Sequence, residues 1–485
     1  MKKRILYFSL SLFITLGLFS CDSWLDLVPE SSITTGSMWK SSSDAKAALT
    51  GSLNRFRLAF QTDYISWGDY RTGFYGNGSG NGAVARGPIW LNQLTSSTMS
   101  TNWNALYTAI NDCNLVLKYT PGISFNIEDE KNHILGSAYF LRAFMYYFIG
   151  RTWGDAPILT EGFESDNQEG LFPTRQPVSD MFNQIEQDLN KALELLKPGM
   201  GKAPLDVTRE AVCMLQTDFY LWQAKVNNKG TDAISKADAA ITMVLNSGKN
   251  LDNSYEAVFR NDANPELIFS IAFIESENTS PFSNEFLVPL AFISSTYHNN
   301  PVQVGGNHFV SINADHKDFL WSTPNDSRAS INISEFTQPA DGVYVKWINK
   351  YIGTWKSGTR IWDSDIRVYR FAEALLFKAE IEIARNNISG ALPYLNRIAK
   401  RAYGVDDFYS GVYTQAEIEN ILVDERLKEL ATEGKSWFDL IRLGQVFKRV
   451  DNLKGRENEQ NILLWPVNTS SINTNPAITQ TPGYN

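Results

Sequence analysis

Four histidines, three cysteines and 53 acidic residues are the groups in this 485-residue chain that could do covalent or metal chemistry. His133, His298, His308 and His316 never fall in a His-Glu-x-x-His arrangement, the helical spacing that lets two imidazoles share a zinc ion. His308 together with Asp315-His316 could supply metal ligands, but no further ligand follows at a metal-binding interval, and the stretch is expected as a solvated loop. No Gly-x-Ser-x-Gly string places a serine on a nucleophile elbow. Gly434-Lys435-Ser436 ends like a phosphate-binding loop, yet Glu429 stands where the first glycine of that motif belongs. The glycine-rich run from Gly76 to Gly82 does not open a helix after a strand, so a flexible loop is expected there, not an anion cradle. Glycosidic hydrolysis needs two carboxyl groups about 5–10 Å apart, and nothing in the sequence singles out such a pair. No catalytic residue, metal ligand or cofactor is assigned, although the Asp- and Asn-rich loops leave room for a structural calcium ion.

Aromatic residues carry the remaining signal. They make up 13% of the chain, with 13 Trp and 20 Tyr. Trp67, Tyr70, Arg71, Phe74 and Tyr75 cluster beside the glycine-rich run, and Trp90 closes that segment. Tyr297, His298, Phe309, Trp321 and Trp355 fall in a second aromatic-rich stretch. A sugar ring has apolar C–H faces rimmed by hydroxyls. A flat Trp or Tyr covers the face, Arg, Asn or Asp takes the hydroxyls, and each stack contributes about 0.5–1.5 kcal/mol beyond buried area. Trp67, Tyr70, Arg71, Tyr75, Tyr297, Trp321 and Trp355 are therefore the candidate ligand-binding residues.

These side chains need a framework, and helical periodicity supplies one. A first helix is expected over 44–58, and further ones near 102–118, 131–149, 178–196, 208–226 and 232–245. From the N-cap Thr208, apolar residues fall at Ala211, Leu215, Phe219, Trp222 and Val226; after a turn, Ala233, Ala237, Ala240, Ile241, Val244 and Leu245 form a second stripe. The plan recurs with a stripe from Val368 to Ile383, a turn at Asn386-Asn387, and a stripe from Ala391 to Ala402. Paired helices with small residues at the crossing are the build of tetratricopeptide-like repeats. The expected fold is thus mostly α: helical repeats over about 44–250 and 366–445, interrupted over about 251–365 by an irregular, loop-rich lobe with short strands at 267–274 and 343–348. Loops on a rigid framework are where binding residues concentrate.

The first residues read as an export signal. Lys2, Lys3 and Arg4 precede an uncharged run of 15 residues, Ile5 to Phe19, too short to span a bilayer but suited to a signal peptide. Ser20 before the lone Cys21 marks a lipoprotein cleavage site, with residues 1–20 removed and Cys21 acylated. Cleavage takes the formal charge from −9 to −12, since residues 1–20 carry three basic side chains and no acidic one. An acidic exterior excludes nucleic acid as a partner, and attachment to the membrane is expected through the lipid anchor alone. Cys113 and Cys213 sit among apolar neighbours and are expected as buried free thiols.

Several strings stand out along the chain: Cys21 to Asp26 with Pro29, Phe140 to Phe148 with Trp153 to Pro157, and Tyr369 to Glu380 with Asn396-Arg397. Asp424-Glu425-Arg426, Glu429-Leu430 and Glu433 to Gly444 follow, then Leu464 to Val467, Asn475-Pro476 and Gln480 to Tyr484. Together, in this order, they resemble the SusD/RagB family of surface nutrient-binding lipoproteins. Ser436 stands where a basic residue is usual, and Thr481 where Asn is usual. The resemblance implies an outer-membrane, surface-exposed protein that binds rather than cleaves. It would capture a glycan and deliver it to a SusC-like TonB-dependent barrel; some relatives carry oligopeptides instead. A surface glycoside hydrolase and an adhesive surface protein are the rival classes. Glu425, Arg426, Glu433, Asp439 and Arg442, anchored by Trp437 and Phe438, are expected to form a structural ion-pair network, not a catalytic site.

Overall fold

A capping box opens the first helix of the computed structural model, which describes residues 38–276 and 281–484. The Ser41 side chain accepts from the Asp44 amide, and the Asp44 carboxylate accepts from the Ser41 amide, fixing the start of α1 (Ser42–Phe60). The expected signal peptide and Cys21 lie outside the described residues. Five more long helices follow before the irregular lobe, after two short ones at Asp63–Gly68 and Gly87–Trp90: α2 (Asn104–Tyr119), α3 (Glu128–Trp153), α4 (Val178–Leu195), α5 (Arg209–Lys225) and α6 (Gly230–Leu245). From Gly136 to Trp153, α3 is buried on nearly every side, and α1, α2 and α4 pack around it. Thr208 caps α5 by accepting from the Ala211 amide, and α5 pairs with α6 along the two stripes that the spacing predicts. Cys113 and Cys213 are buried and unpaired.

The lobe is held by short antiparallel ribbons rather than one sheet. β1 (Tyr75–Asn77) pairs with β3 (Val310–Ile312), and β2 (Leu267–Ile271) with β8 (Ile366–Arg370). β4 (Ser334–Thr337) pairs with β5 (Tyr344–Trp347), and β6 (Thr354–Lys356) with β7 (Thr359–Ile361). A single short helix, α7 (Ala314–Leu320), follows β3 directly, capped by the Asn313 side chain accepting from the His316 amide. His316 is therefore a buried helical residue and His308 is buried beside the β1–β3 ribbon, which corrects the solvated loop expected for this stretch. Among the described residues, no three His, Cys, Asp or Glu side chains gather as a metal site.

The glycine-rich run is also not a flexible loop. It continues the β1–β3 ribbon: the Gly78 amide donates to the Phe309 carbonyl at 3.1 Å and the Gly80 amide to the His308 carbonyl at 2.9 Å. A Cβ on Gly80 would lie 1.7 Å from the Asn307 carbonyl oxygen, and one on Gly78 2.1 Å from that of His308. Glycine is required here for close backbone approach.

The helical build resumes with α8 (Phe371–Ala384), α9 (Ile388–Tyr403), α10 (Gln415–Glu429) and α11 (Ser436–Arg442). The stripe beginning at Val368 starts in strand, not helix. Ile366–Arg370 is buried on both faces, and a short run of that kind carries no periodicity to distinguish the two. α8 packs on α9, on α10 and back onto α6, so the two helical regions form one framework.

Glu425, Arg426, Glu433, Asp439 and Arg442, the charged residues in and between α10 and α11, are all interior. Arg426 forks onto Asp439 at 2.7 and 2.9 Å, and Arg442 onto Glu380 at 3.0 Å. Arg328 bonds Glu425 at 2.8 Å, and Glu433 takes Arg370 at 2.8 Å and Lys350 at 2.9 Å. Trp437 and Phe438 are buried beneath them. These residues lock the C-terminal helices to the lobe, and that leaves ligand contact to other side chains.

Candidate ligand-binding site

Four of the seven candidate residues are inside the protein. Trp67 packs edge-on against Phe60 at 5.9 Å and Trp153 at 5.4 Å, and its indole N–H donates to the Ser100 carbonyl at 2.7 Å. Tyr75 is buried with its hydroxyl on Thr432 at 3.2 Å. Tyr70 faces an enclosed pocket of about 100 Å³ shared with Asp63, Arg86, Ser100 and Glu285, where burial pushes Asp63 up to about 6 and Glu285 to about 7. Arg71 is 0% exposed, lies 4.4 Å from the Trp437 ring and donates to the carbonyls of Ile462, Leu463 and Leu464. Arg71 ties the chain's tail to this segment and the three rings pack in the core around it, so the ligand role expected for these four is corrected to a structural one. Their aromatic and basic character reflects a core built from rings.

The lobe aromatics differ. Trp321 is 42% exposed at the end of α7, with the Lys317 ammonium 5.9 Å from its ring. Tyr297 is half-buried against Phe336 at 5.0 Å, and Trp355 is half-buried with the Arg360 guanidinium at 4.9 Å. None of the three lines either of the two open cavities that the β1–β3 ribbon and α7 create.

The first cavity, about 310 Å³, opens where the ribbon meets α7 and is lined by Phe74, Asn313, Asp315, His316, Phe319, Arg449, Asp451 and neighbours. Phe74 and His316 stack at 4.0 Å, 3° from parallel, and His316 faces Phe319 at 5.5 Å, so three flat rings form one wall. Burial pushes the His316 pKa down to about 3, which keeps the imidazole neutral and aromatic at ordinary pH.

The second cavity, about 560 Å³, lies along the other end of the ribbon, between Asn77, Gly78, Ser79, His308 and Ser311 on one side and Phe292 and Val343 to Lys346 on the other. Its two rings are open to solvent, Tyr344 at 52% and Phe292 at 38% exposure. The period of two along β5 puts Tyr344 and Lys346 on one face while Val345 and Trp347 fill the core. Glu335 ties the two cavities together, accepting from Lys317 of α7 at 2.6 Å and from the Tyr344 hydroxyl at 2.6 Å. Flat apolar faces next to amide, hydroxyl and ammonium groups, in open depressions, suit a ligand with apolar faces and a polar rim.

Comparison with known proteins bears on this arrangement. A sequence model described as the SusD family matches residues 313–484, and one described as "Starch-binding associating with outer membrane" matches residues 79–221. The SusD-like protein P38 of Formosa agariphila is 25% identical, with 97% of each chain covered. The chain resembles the SusD/RagB family over both matched segments. Solved SusD-type folds match it closely. NanU of B. fragilis superposes with a TM-score of 0.80 at 24% identity, covering 94% of this chain and 99% of that one. A SusD superfamily protein from Bacteroides fragilis NCTC 9343 superposes with a TM-score of 0.77 at 25% identity, covering 92% and 100%. Phe292, Phe319, Tyr344 and Lys346, which line the two cavities, escape a search for Trp and Tyr clusters. The alternation along 343–348 is the one sequence signal that points outward for Tyr344 and Lys346.

Proposed function

We propose that this protein is a nutrient-binding lipoprotein of the outer-membrane surface, anchored through Cys21, that captures oligosaccharide or polysaccharide and passes it to a SusC-like TonB-dependent barrel. The carrying observation is the pair of open cavities flanking the β1–β3 ribbon, each offering aromatic faces beside hydrogen-bonding side chains. The description of the matching model, starch-binding and associated with the outer membrane, supports the same class of cargo and place. Open sites of this kind suit a carrier that must release what it catches, and micromolar to millimolar affinity, about 4–8 kcal/mol, is sufficient. Binding without cleavage is part of this reading; the lining of the larger cavity holds no carboxylate, and Asp315 and Asp451 line the smaller one.

Calorimetry and affinity electrophoresis of the soluble form, lacking residues 1–20 and with Cys21 replaced by Ser, test this against polysaccharides, oligosaccharides and a casein digest. Glycan binding without sugar release is expected. Binding of peptides alone would move the cargo to the other class, and steady sugar release lost on Asp315→Asn or Asp451→Asn would establish a hydrolase.

A further inference from the structure

Lys346 has no acid to pair with where one should be. In the β4–β5 ribbon its direct cross-strand partner is Glu335, the position at which an opposite charge ordinarily forms an ion pair. Glu335 is engaged instead by Lys317 and the Tyr344 hydroxyl, both at 2.6 Å. The Lys346 ammonium is left without an ion-pair or hydrogen-bond partner among the described residues, half-buried on the wall of the larger cavity. Of the charged groups near it (Lys317, Glu335 and Asp318), none lines that cavity. In a chain with a formal charge of −9, this lining holds one cation and no carboxylate.

His308 lies on the same wall, buried beside Lys346. It is 4% exposed and held at φ 46°, a left-handed conformation uncommon for a residue with a side chain. The Ser79 amide donates to its Nδ1 at 3.2 Å, so the neutral ring carries its proton on Nε2. Nε2 is buried. Burial, then Lys346, pushes the His308 pKa down to about 4, although the Lys346 backbone carbonyl works in the opposite direction. Burial and Lys317 hold Lys346 below the ordinary lysine value. An anion in the cavity would relieve both effects.

We infer that the larger cavity selects glycans bearing an anionic ring substituent, held by the Lys346 ammonium, while Tyr344 and Phe292 cover the ring. The inference rests on the glycan-binding reading above. A uronate carboxylate and a sulfate ester present the same chemistry to this ammonium.

Three sets of oligosaccharides separate the outcomes by calorimetry: galacturonate oligomers, sulfated galactan oligomers and neutral galactan oligomers of equal length. At least one anionic set is expected to bind at least tenfold more tightly than the neutral one, and to weaken as NaCl rises from about 0.05 to 0.5 M. Lys346→Gln is expected to lose about tenfold in affinity for that set, Lys346→Arg to retain it, and both to melt like the parent protein. The anionic set that responds identifies the substituent. Equal binding of neutral and anionic oligomers, or an unchanged affinity in Lys346→Gln, overturns the inference and leaves the glycan reading standing. Absence of binding to all three and to every polysaccharide tested overturns both.

Discussion

Glu429→Gln probes how the charged signature is used. The Glu429 side chain is wholly buried and meets three guanidinium groups, those of Arg370 at 2.5 Å, Arg328 at 3.3 Å and Arg401. Burial alone would raise its pKa; Arg401, Arg370 and Arg328 overcome that and hold the carboxyl well below the usual carboxylate range. Glutamine keeps the shape and one carbonyl acceptor but removes the charge that three cations share. Breaking a buried ion pair from one side costs about 3–5 kcal/mol, and the retained acceptor places this variant near the lower end, about 3 kcal/mol. Because the folded pKa is depressed, the stabilisation is fully present above the unfolded value of about 4.3 and is lost as pH falls toward the folded value. Urea unfolding followed by tryptophan fluorescence should therefore show a gap of about 3 kcal/mol at pH 7 that narrows below about pH 4. Other titrating groups are common to both proteins and cancel in the difference. A gap under about 0.5 kcal/mol at pH 7, or one that widens on acidification, would refute the claim that this signature is a structural lock.

Other perturbations separate framework from capture surface. Trp67→Ala should cost about 3–5 kcal/mol in unfolding experiments while the folded protein binds glycan as before; lost affinity with intact stability would return Trp67 to the ligand face. His316, held neutral by burial with its pKa pushed down to about 3, contributes stability that is complete above about pH 6.5 and lost as pH falls toward 3. His316→Phe should keep the ring stack yet flatten that acid limb by on the order of 3–5 kcal/mol, so superimposable acid unfolding curves would exclude a buried neutral imidazole. Cys21→Ser should shift the full-length protein from the membrane pellet to the soluble fraction, and continued pelleting would rule out anchoring through that thiol.

The scaffold was legible because paired helices leave a periodic trace. The Ala211 to Val226 and Ala233 to Leu245 stripes mark α5 and α6, and small residues at the crossings mark the pairs. Ile366–Arg370 was not legible as a strand, because a short run buried on both faces carries no alternation. The site was harder to read. Trp67 and Tyr75 look like loop aromatics in sequence, yet Trp67 packs against α3 and Tyr75 bonds Thr432, partners far away along the chain. Phe74, three residues after Arg71, does reach a cavity, through a stack on His316 that only the β1–β3 pairing creates. The partners of the charged signature were equally hidden: Arg328, Arg370 and Arg401 reach Glu429 across 101, 59 and 28 positions.

Phe292 and Tyr344 are the solvent-facing rings of the larger cavity, so removing both tests the capture face most directly. Each stack is worth about 0.5–1.5 kcal/mol, and the double variant Phe292→Ala/Tyr344→Ala should bind glycan at least fivefold more weakly by calorimetry, with an unchanged melting temperature. Undiminished affinity in that variant would show that the sugar is held elsewhere on the protein.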